Sequence, residues 1–559
     1  MKVKYLYSII ISLSIFATSC DDFLDTKPYS NTVVDNSYKT ANDAELALTG
    51  CYQTVVAAVA QGEWGRASFN SGMQAMLDGG TDECIMRDGL SDPIFGSIPV
   101  GSFTAQHELF KFSWSFLFKG VSRTNFLLEK IDTIDMDKKR KDEIKAEAQY
   151  LRGFFYYYLG ILYGGAPVYT TSYQDPMAAR NSLQDVFNRA IEDFSHAYNI
   201  LPDRSGIPGR ANKWSAAGFL VKSYCYLASC KMNNVGKDLN FDLNSFDWVN
   251  SSDFYTKAKT ISLDIIDNSG YKLTEHYDYL FRENTENAQY EECLFTGEST
   301  SAQAAGDDYG AWLFYMIPVG ATNITGGGYG WYRPTGEMYY NLYDSQDPRR
   351  AHNLGGMLVD KADAIEYIEG VKYFVPQPAT PADENYCITK FRYKDPKAKN
   401  ISLALSEGNY PILRFADILL LNAEAEYFTG DEPAARKRLT EVRTRVSEEN
   451  IGNTAPAVVY LDTRYKKTNF VTELLEERSR ELCFEAHRRT DLIRFGKIES
   501  AIAGLSDGKQ AGKEARWNVI VPILQENWAN ASYKIWFPIP INDVLLNKNL
   551  VQNPGFQSR

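Results

Sequence analysis

A mostly α-helical fold is predicted, a solenoid of antiparallel helix pairs packed against a loop-rich, irregular half. Three observations predict it. Helical hydrophobic periodicity recurs in neighbouring pairs of segments. Small residues stand where the members of a pair would touch. Between about Tyr271 and Asn409 the periodicity fades, and Gly, Pro, Asn and aromatic residues take over.

The elements follow in chain order. Lys2 and Lys4 precede an apolar run, Ile9 to Phe16, that is too short to span a bilayer, and Ala17, Thr18 and Ser19 lead to Cys20. This is a lipoprotein signal pattern, with Ala17 where Leu is usual. It predicts removal of residues 1–19 and acylation of Cys20. Each buried methylene of such acyl chains contributes about 0.8 kcal/mol to membrane anchoring. A plain secreted protein with an incidental Cys20 is the alternative.

A lipidated tether, residues 20–40, then leads into a single domain, residues 41–559. Its scaffold is expected at about 41–60, 103–270 and 411–446. There, Ile144, Ala148, Leu151, Phe155, Tyr158 and Leu162 step by three and four residues and share one helical stripe, stopped by Gly164, Gly165 and Pro167. Its partner runs from Ser182 to Ile200. A second pair is Trp214–Ser229 with Asp253–Asp267, and a third is Pro411–Phe428 with Glu432–Val446, joined by Thr429-Gly430-Asp431. Ala216, Ala217 and Gly218 in one pair, and Ala423 and Ala425 in another, are the expected contact positions. Such units look like tetratricopeptide repeats of irregular spacing.

The loop-rich, ligand-binding half is expected at about 61–102 and 271–410, because long irregular stretches inside a compact protein are commonly functional. The final section, 471–559, opens on a charged helix from Val471 to Phe495. Glu476 with Arg480 and Glu485 with Arg489 stand at i,i+4 spacing there, worth about 0.3–0.5 kcal/mol each. Ile535 to Pro540 is extended, since its two prolines exclude helix and central strand.

Composition narrows the function classes. A formal charge of -12 repels phosphate backbones and anionic headgroups, which excludes nucleic acid as an expected partner. After the N-terminus no uncharged stretch reaches the roughly 20 residues of a spanning helix. Cys51, Cys84, Cys225, Cys230, Cys293, Cys387 and Cys483 have no CxxC spacing and read as isolated buried thiols. The five histidines are scattered, and no HExxH, GxSxG or Walker loop occurs. Asp344-Ser345-Gln346-Asp347 is no calcium loop, because Pro348 and Arg349 stand where ligands or glycine are needed. No metal, cofactor or catalytic residue is expected.

Five segments, in order, carry a resemblance. They are Cys20-Asp21-Asp22-Phe23-Leu24-Asp25; Ala146-Glu147-Ala148-Gln149-Tyr150-Leu151-Arg152-Gly153-Phe154-Phe155-Tyr156-Tyr157 closing on Leu162-Tyr163-Gly164-Gly165-Ala166-Pro167; Pro411-Ile412-Leu413-Arg414-Phe415-Ala416-Asp417 leading to Asn422-Ala423-Glu424-Ala425; Glu476-Glu477-Arg478-Ser479-Arg480-Glu481-Leu482 with Glu485, Arg488, Asp491-Leu492 and Arg494; and Phe537-Pro538-Ile539-Pro540 with Asn553-Pro554-Gly555-Phe556. Together they resemble the SusD/RagB family of Bacteroidetes surface lipoproteins over nearly the whole mature chain. The resemblance implies tetratricopeptide-like units packed against a loop-rich binding half, lipid anchoring in the outer membrane at the cell surface, and partnership with a SusC-like TonB-dependent transporter. It also implies non-catalytic capture of an oligosaccharide or polysaccharide for uptake. Oligopeptide capture, as in the RagB branch, is the alternative; a surface hydrolase is the third reading.

Sugar rings stack their C–H faces on aromatic planes while their hydroxyls bond amides, carboxylates and Arg. The candidate platform is therefore Tyr309, Trp312, Phe314, Tyr315, Tyr329, Trp331 and Tyr332, interrupted by Gly326-Gly327-Gly328. Trp64, Arg66, Asp82, Glu83, Arg87 and Asp88 of the earlier loop are candidate hydrogen-bonding neighbours. Rings that merely pack the loop, and charges that merely face solvent, are the plain alternatives. Trp114 reads as structural. In Glu477, Arg478, Glu481, Glu485 and Arg488, carboxylates alternating with Arg would be held ionised, which suits structure rather than acid catalysis.

Overall fold

The computed structural model describes residues 38–56, 69, 72–86, 96–281, 286–299, 316, 330–356, 365–368, 371–374, 380, 386–391, 408–451, 454–506 and 516–557. Cys20 lies outside them. The protein is mostly helical, as the paired periodicity predicts. Helices α1 (Ala41–Val56), α2 (Gly72–Leu77), α3 (Glu108–Lys130), α4 (Lys138–Tyr163), α5 (Leu183–Ile200), α6 (Lys213–Met232) and α7 (Ser251–Asn268) precede the irregular section. Within that section stand the short helices α8 (Glu286–Glu292) and α9 (Pro348–Asn353). After it come α10 (Phe415–Phe428), α11 (Glu432–Ile451), α12 (Thr454–Tyr465), α13 (Phe470–Leu482) and α14 (Arg488–Arg494).

Helices α3 to α7 pack each on the next, and α10 continues the stack by packing on α7 before α11 and α12 follow. The irregular section is thus an insertion between two pairs of one solenoid. Local chemistry sets the helix ends. Asp137 accepts from the Arg140 amide at 2.8 Å to start α4, Ser182 with Asp185 and Asn212 with Ser215 form capping boxes on α5 and α6, and Asp347 caps α9. Helix α4 ends at Gly164, whose φ of 82° suits glycine; a Cβ there would sit 2.3 Å from the Asn244 amide.

Two contacts differ from expectation. The predicted stripe on α4 is buried, but so is every residue from Tyr150 to Tyr163, because α3, α5 and the chain's final segment enclose the helix. Phe537 donates its amide to the Leu162 carbonyl at 2.8 Å, and Asn553 donates to the Tyr163 carbonyl at 2.9 Å. Gly218, expected to face its own partner helix, instead admits Leu413, whose Cδ2 would lie 2.5 Å from a Cβ. The small residue spaces one pair from the next.

The strands are short and antiparallel. β1 (Cys84–Met86) pairs with β3 (Tyr332–Pro334), β2 (Cys293–Gly297) with β8 (Tyr410–Arg414), β4 (Leu354–Gly355) with β7 (Cys387–Ile388), and β5 (Ile365–Ile368) with β6 (Val371–Phe374). Among the described residues no helix is long and apolar enough to cross a membrane.

Candidate functional site

The β1–β3 ribbon brings the two predicted loop-rich segments to one place. Cys84 lies opposite Pro334 and Met86 opposite Tyr332; Thr335 donates its amide to the Glu83 carbonyl at 2.9 Å and its hydroxyl to the Asp82 carbonyl. Trp331, immediately before the ribbon, is half-buried and packs against the core. Tyr332 is 1% exposed. Its ring is core rather than an open stacking face, since every residue of β3 is buried and both sides of the strand are covered. Asp82 holds the Arg488 guanidinium through two oxygens, at 2.6 and 2.8 Å, so it braces the ribbon against α14. Tyr309, Trp312, Phe314, Tyr315, Tyr329, Trp64, Arg66, Arg87 and Asp88 lie outside the described residues.

Beneath the ribbon runs a buried ionic seam. Arg349 of α9 bonds Asp347, Glu477 and Glu481; Arg414 at the end of β8 bonds Glu292, Glu481 and Glu485 at 2.7–2.9 Å; Arg445 reaches Glu292 and Glu481; Lys390 reaches Glu485 at 2.6 Å. The seam joins residues of the irregular insertion (Glu292, Asp347, Arg349, Lys390) to the scaffold. Burial alone would raise the carboxyl pKa values of Glu477, Glu481 and Glu485, but the surrounding guanidiniums, joined by Lys390 at Glu485, hold all three below the usual range.

One expected pair is absent. Glu485 turns to Arg414 and Lys390, while Arg489 donates to the Lys534 carbonyl. The charged helix breaks between α13 and α14, where Phe484 and Ala486 adopt left-handed φ values of 64° and 62°. Two non-glycine residues in that region store strain that their surroundings must offset; Asp78 helps by accepting the Ala486 amide at 2.7 Å. Glu476 and Arg480 do pair, at 3.5 Å. Trp114 is buried edge-on to Phe118 and Tyr163. Asp344 and Asp347 accept from Tyr460, Arg464, Tyr465 and Arg349, so both carboxylates are occupied by protein groups.

Three buried groups beside the break titrate abnormally. Burial pushes Asp78 up to about 7 against the pull of the backbone amides it accepts. Burial also pushes Glu83 up to about 8, with Arg488 opposing and Asp78 and Asp82 reinforcing. Burial and the neighbouring Lys222 lower His487 to about 3. Above pH 6.5 His487 is neutral when folded, and the unfolded imidazole loses its remaining protons, a change of only about 0.4 kcal/mol that opposes the fall due to Asp78 and Glu83. Asp78 and Glu83 then hold protons when folded that the unfolded chain has lost, so their contribution fades as pH rises through 7 and 8. Unfolding free energy should therefore fall by about 1–3 kcal/mol between pH 6.5 and 8. Urea titrations at both pH values check this; Glu83→Gln should remove most of the slope, and stability that rises over the window would contradict the assignment.

Residues 281–556 match the model of the SusD family, and residues 22–225 match a second model described as starch-binding associating with outer membrane. The chain belongs to the SusD family. Among SusD relatives, it is 23% identical to the starch-binding protein SusD of Bacteroides thetaiotaomicron over 519 residues, 85% of this chain and 84% of that one. A crystal structure of a SusD homolog from the same species superposes with a TM-score of 0.72 at 22% identity, covering 94% of this chain and 99% of that one. A laminarin-binding SusD-like protein superposes at 0.67 with 21% identity, covering 93% and 100%.

Of the candidate binding residues that sequence reasoning singled out in this SusD-like chain, the structure describes Trp331, Tyr332, Asp82 and Glu83, and it brings them together at the ribbon. Sequence reasoning passed over Glu337 and Asn341, which follow the ribbon on a π-helical turn, Met338–Leu342, and which no motif marks.

Proposed function

We propose that this protein is a non-catalytic binding lipoprotein, anchored in the outer membrane through Cys20 and exposed at the cell surface. It captures an oligosaccharide or polysaccharide and delivers it to a SusC-like TonB-dependent transporter. The observation that carries the reading is the β1–β3 ribbon. It pairs one strand from each loop-rich segment, with the partly exposed Trp331 immediately before it and Asp82 tying it to Arg488 of α14. Family membership, and relatives described as binding starch and laminarin, support a glycan as ligand. The outer-membrane description of the second family model supports the location. Guanidinium-bound carboxylates such as Glu477 and Glu481 are poor proton donors, which supports binding without turnover.

Calorimetric titration of a soluble chain beginning at Asp21 tests this, with starch, laminarin, other polysaccharides, their oligomers and mixed peptides as ligands. Saturable heat with one glycan class is expected, with a dissociation constant on the order of micromolar to millimolar. Trp331→Ala should weaken it roughly two- to tenfold, the value of one aromatic stacking contact. Heat with peptides alone would move the protein to oligopeptide capture, and release of shortened glycan would make it a hydrolase.

A further inference from the structure

A groove on the scaffold is built without the ribbon. Tyr38, α1, α3 and the segment between α4 and α5 border a space of about 660 Å³. That lies inside the roughly 300–1,000 Å³ range of small-molecule sites. None of its lining residues belongs to the ribbon, the ionic seam or α14. Three of them are aromatic. Tyr38 and Phe126, both half-buried, meet edge-on with centroids 5.1 Å apart, and Tyr173 is 71% exposed. The groove therefore has aromatic surface on which a ring-shaped ligand can pack.

Arg123 of α3 gives the groove its charge. Its Nη1 donates to the Gly50 carbonyl at 2.8 Å, and Gly50 is itself on the lining, which fixes the guanidinium at the groove. Nε and Nη2 make no hydrogen bond or ion pair among the described residues, and neither is sealed from solvent. Glu129, further along α3, turns instead to Ser172, accepting from its amide at 2.7 Å and its hydroxyl at 2.6 Å. Burial pushes the nearby Cys51 thiol up to about 12 against the pull of Arg123, so it stays neutral and is no counter-ion. Lys130 adds a second cation, 5.7 Å from the centre of the Phe126 ring. The edge formed by Nε and Nη2 is a rigid fork that matches the two oxygens of a carboxylate. On a chain of formal charge -12, a guanidinium with that fork unspent points to an anion from outside.

From these features we propose that the groove is a second glycan site, one that takes an acidic sugar: a uronate whose carboxylate lies on the Nε–Nη2 edge of Arg123 while the sugar rings pack against Tyr173 and the Tyr38–Phe126 pair. Charge complementarity selects the carboxylate. The aromatic surface selects a ring-bearing carrier over a small free anion, which would leave the rings unused. A carboxylate on a peptide side chain would meet Arg123 equally well but bring no C–H ring face to Tyr173. The site rests on the reading of this protein as a glycan binder and deepens it, because it names a chemical class of glycan and a contact point made by elements other than the ribbon.

The test is calorimetric titration, in low salt, of the soluble chain beginning at Asp21. The ligands are oligomers of galacturonate, glucuronate and mannuronate, each beside its methyl ester, which keeps the sugar skeleton and removes the charge. At least one acid should bind, and its ester at least about tenfold more weakly. Arg123→Gln should weaken the acid about ten- to hundredfold, the loss of hydrogen bonds between charged groups. Arg123→Lys, which keeps the charge but not the fork, should restore only part of that. Tyr173→Ala should weaken it about two- to tenfold; as a change to an exposed side chain it reports on the groove even if the Arg123 variants fold poorly. Lys257→Gln, which removes an exposed cation on α7, should leave affinity within about twofold. Equal binding of acid and ester would overturn the site, as would acid binding that neither Arg123→Gln nor Tyr173→Ala changes. Arg123-dependent binding of acetate, a glutamate-rich peptide or a sulfated oligosaccharide, with no uronate bound, would overturn it too. Binding of neutral oligosaccharides but of no uronate would overturn the groove and leave the glycan reading intact. No saccharide binding of any kind would overturn the glycan reading itself.

Discussion

Arg414→Met is expected to lower the unfolding free energy by about 3–5 kcal/mol. Arg414 is 1% exposed and donates to Glu292, Glu481 and Glu485, and to the Glu481 carbonyl at 2.7 Å. Methionine fills much of the same volume, so packing loss is small. Three carboxylates would lose their shared cation where no water replaces it. Desolvation would then dominate, pushing their pKa values up and forcing protonation or local opening. Urea unfolding at pH 7, followed by far-ultraviolet circular dichroism, measures the change. A loss under about 1 kcal/mol, the range of exposed ion pairs, would mean that water enters the seam and that the insertion is held by other contacts. A second consequence separates the two cases: with the seam dry, the variant should regain stability as pH falls toward 5, because Glu292, Glu481 and Glu485, each with one cation fewer and only Arg349, Arg445 and Lys390 remaining, take up protons more readily.

Phe154→Ala should cost a similar amount, about 3–5 kcal/mol, through cavity formation rather than charge. Phe154 is 1% exposed on α4 and meets Tyr158, Phe155, Phe219 and Phe295 edge-on, with ring centroids 4.8 to 5.7 Å apart. Those rings come from three elements, α4, α6 and β2, and cannot all close on one vacancy. Each edge-to-face pair adds about 0.5–1.5 kcal/mol beyond the buried area. Tyr173→Ala is the internal control. Its side chain is 71% exposed, so the change should fall within about 0.5 kcal/mol. Comparable losses in the two variants would mean that the ring cluster around Phe154 is not the core of the scaffold.

The helix pairs were legible where 3.6-residue periodicity, a local signal, is present, as in α4, α5 and α7; α6 and α10 are buried on nearly all sides and carry little of it. The ends were legible where capping chemistry is local, at Ser182 and Gly164. The break at Phe484–Ala486 was not. Neither residue favours a left-handed backbone, and what holds them there, Asp78 and Lys390, comes from far away in sequence. An i,i+4 rule applied to Glu485 and Arg489 therefore failed for want of a continuous helix. The ribbon was equally hidden, since three-residue strands such as Cys84–Met86 are too short to show alternation. The burial of Tyr332 was hidden too, because β3 is covered on both sides and alternation along it says nothing about exposure.

The cover that residues 537–553 give to α4 has a consequence in time. Leu162, Tyr163 and Arg180 bond Phe537, Asn553 and Val551, yet synthesis at about 5–20 residues per second delivers the latter group roughly 20–75 s after the former. For that interval the tyrosine- and phenylalanine-rich end of α4 is made but unroofed. A nascent chain in that state presents sticky surface to its neighbours, and release before the last segment arrives would favour aggregation over folding. The final segment is therefore the latch that closes the scaffold, and it is the last part of the chain to arrive.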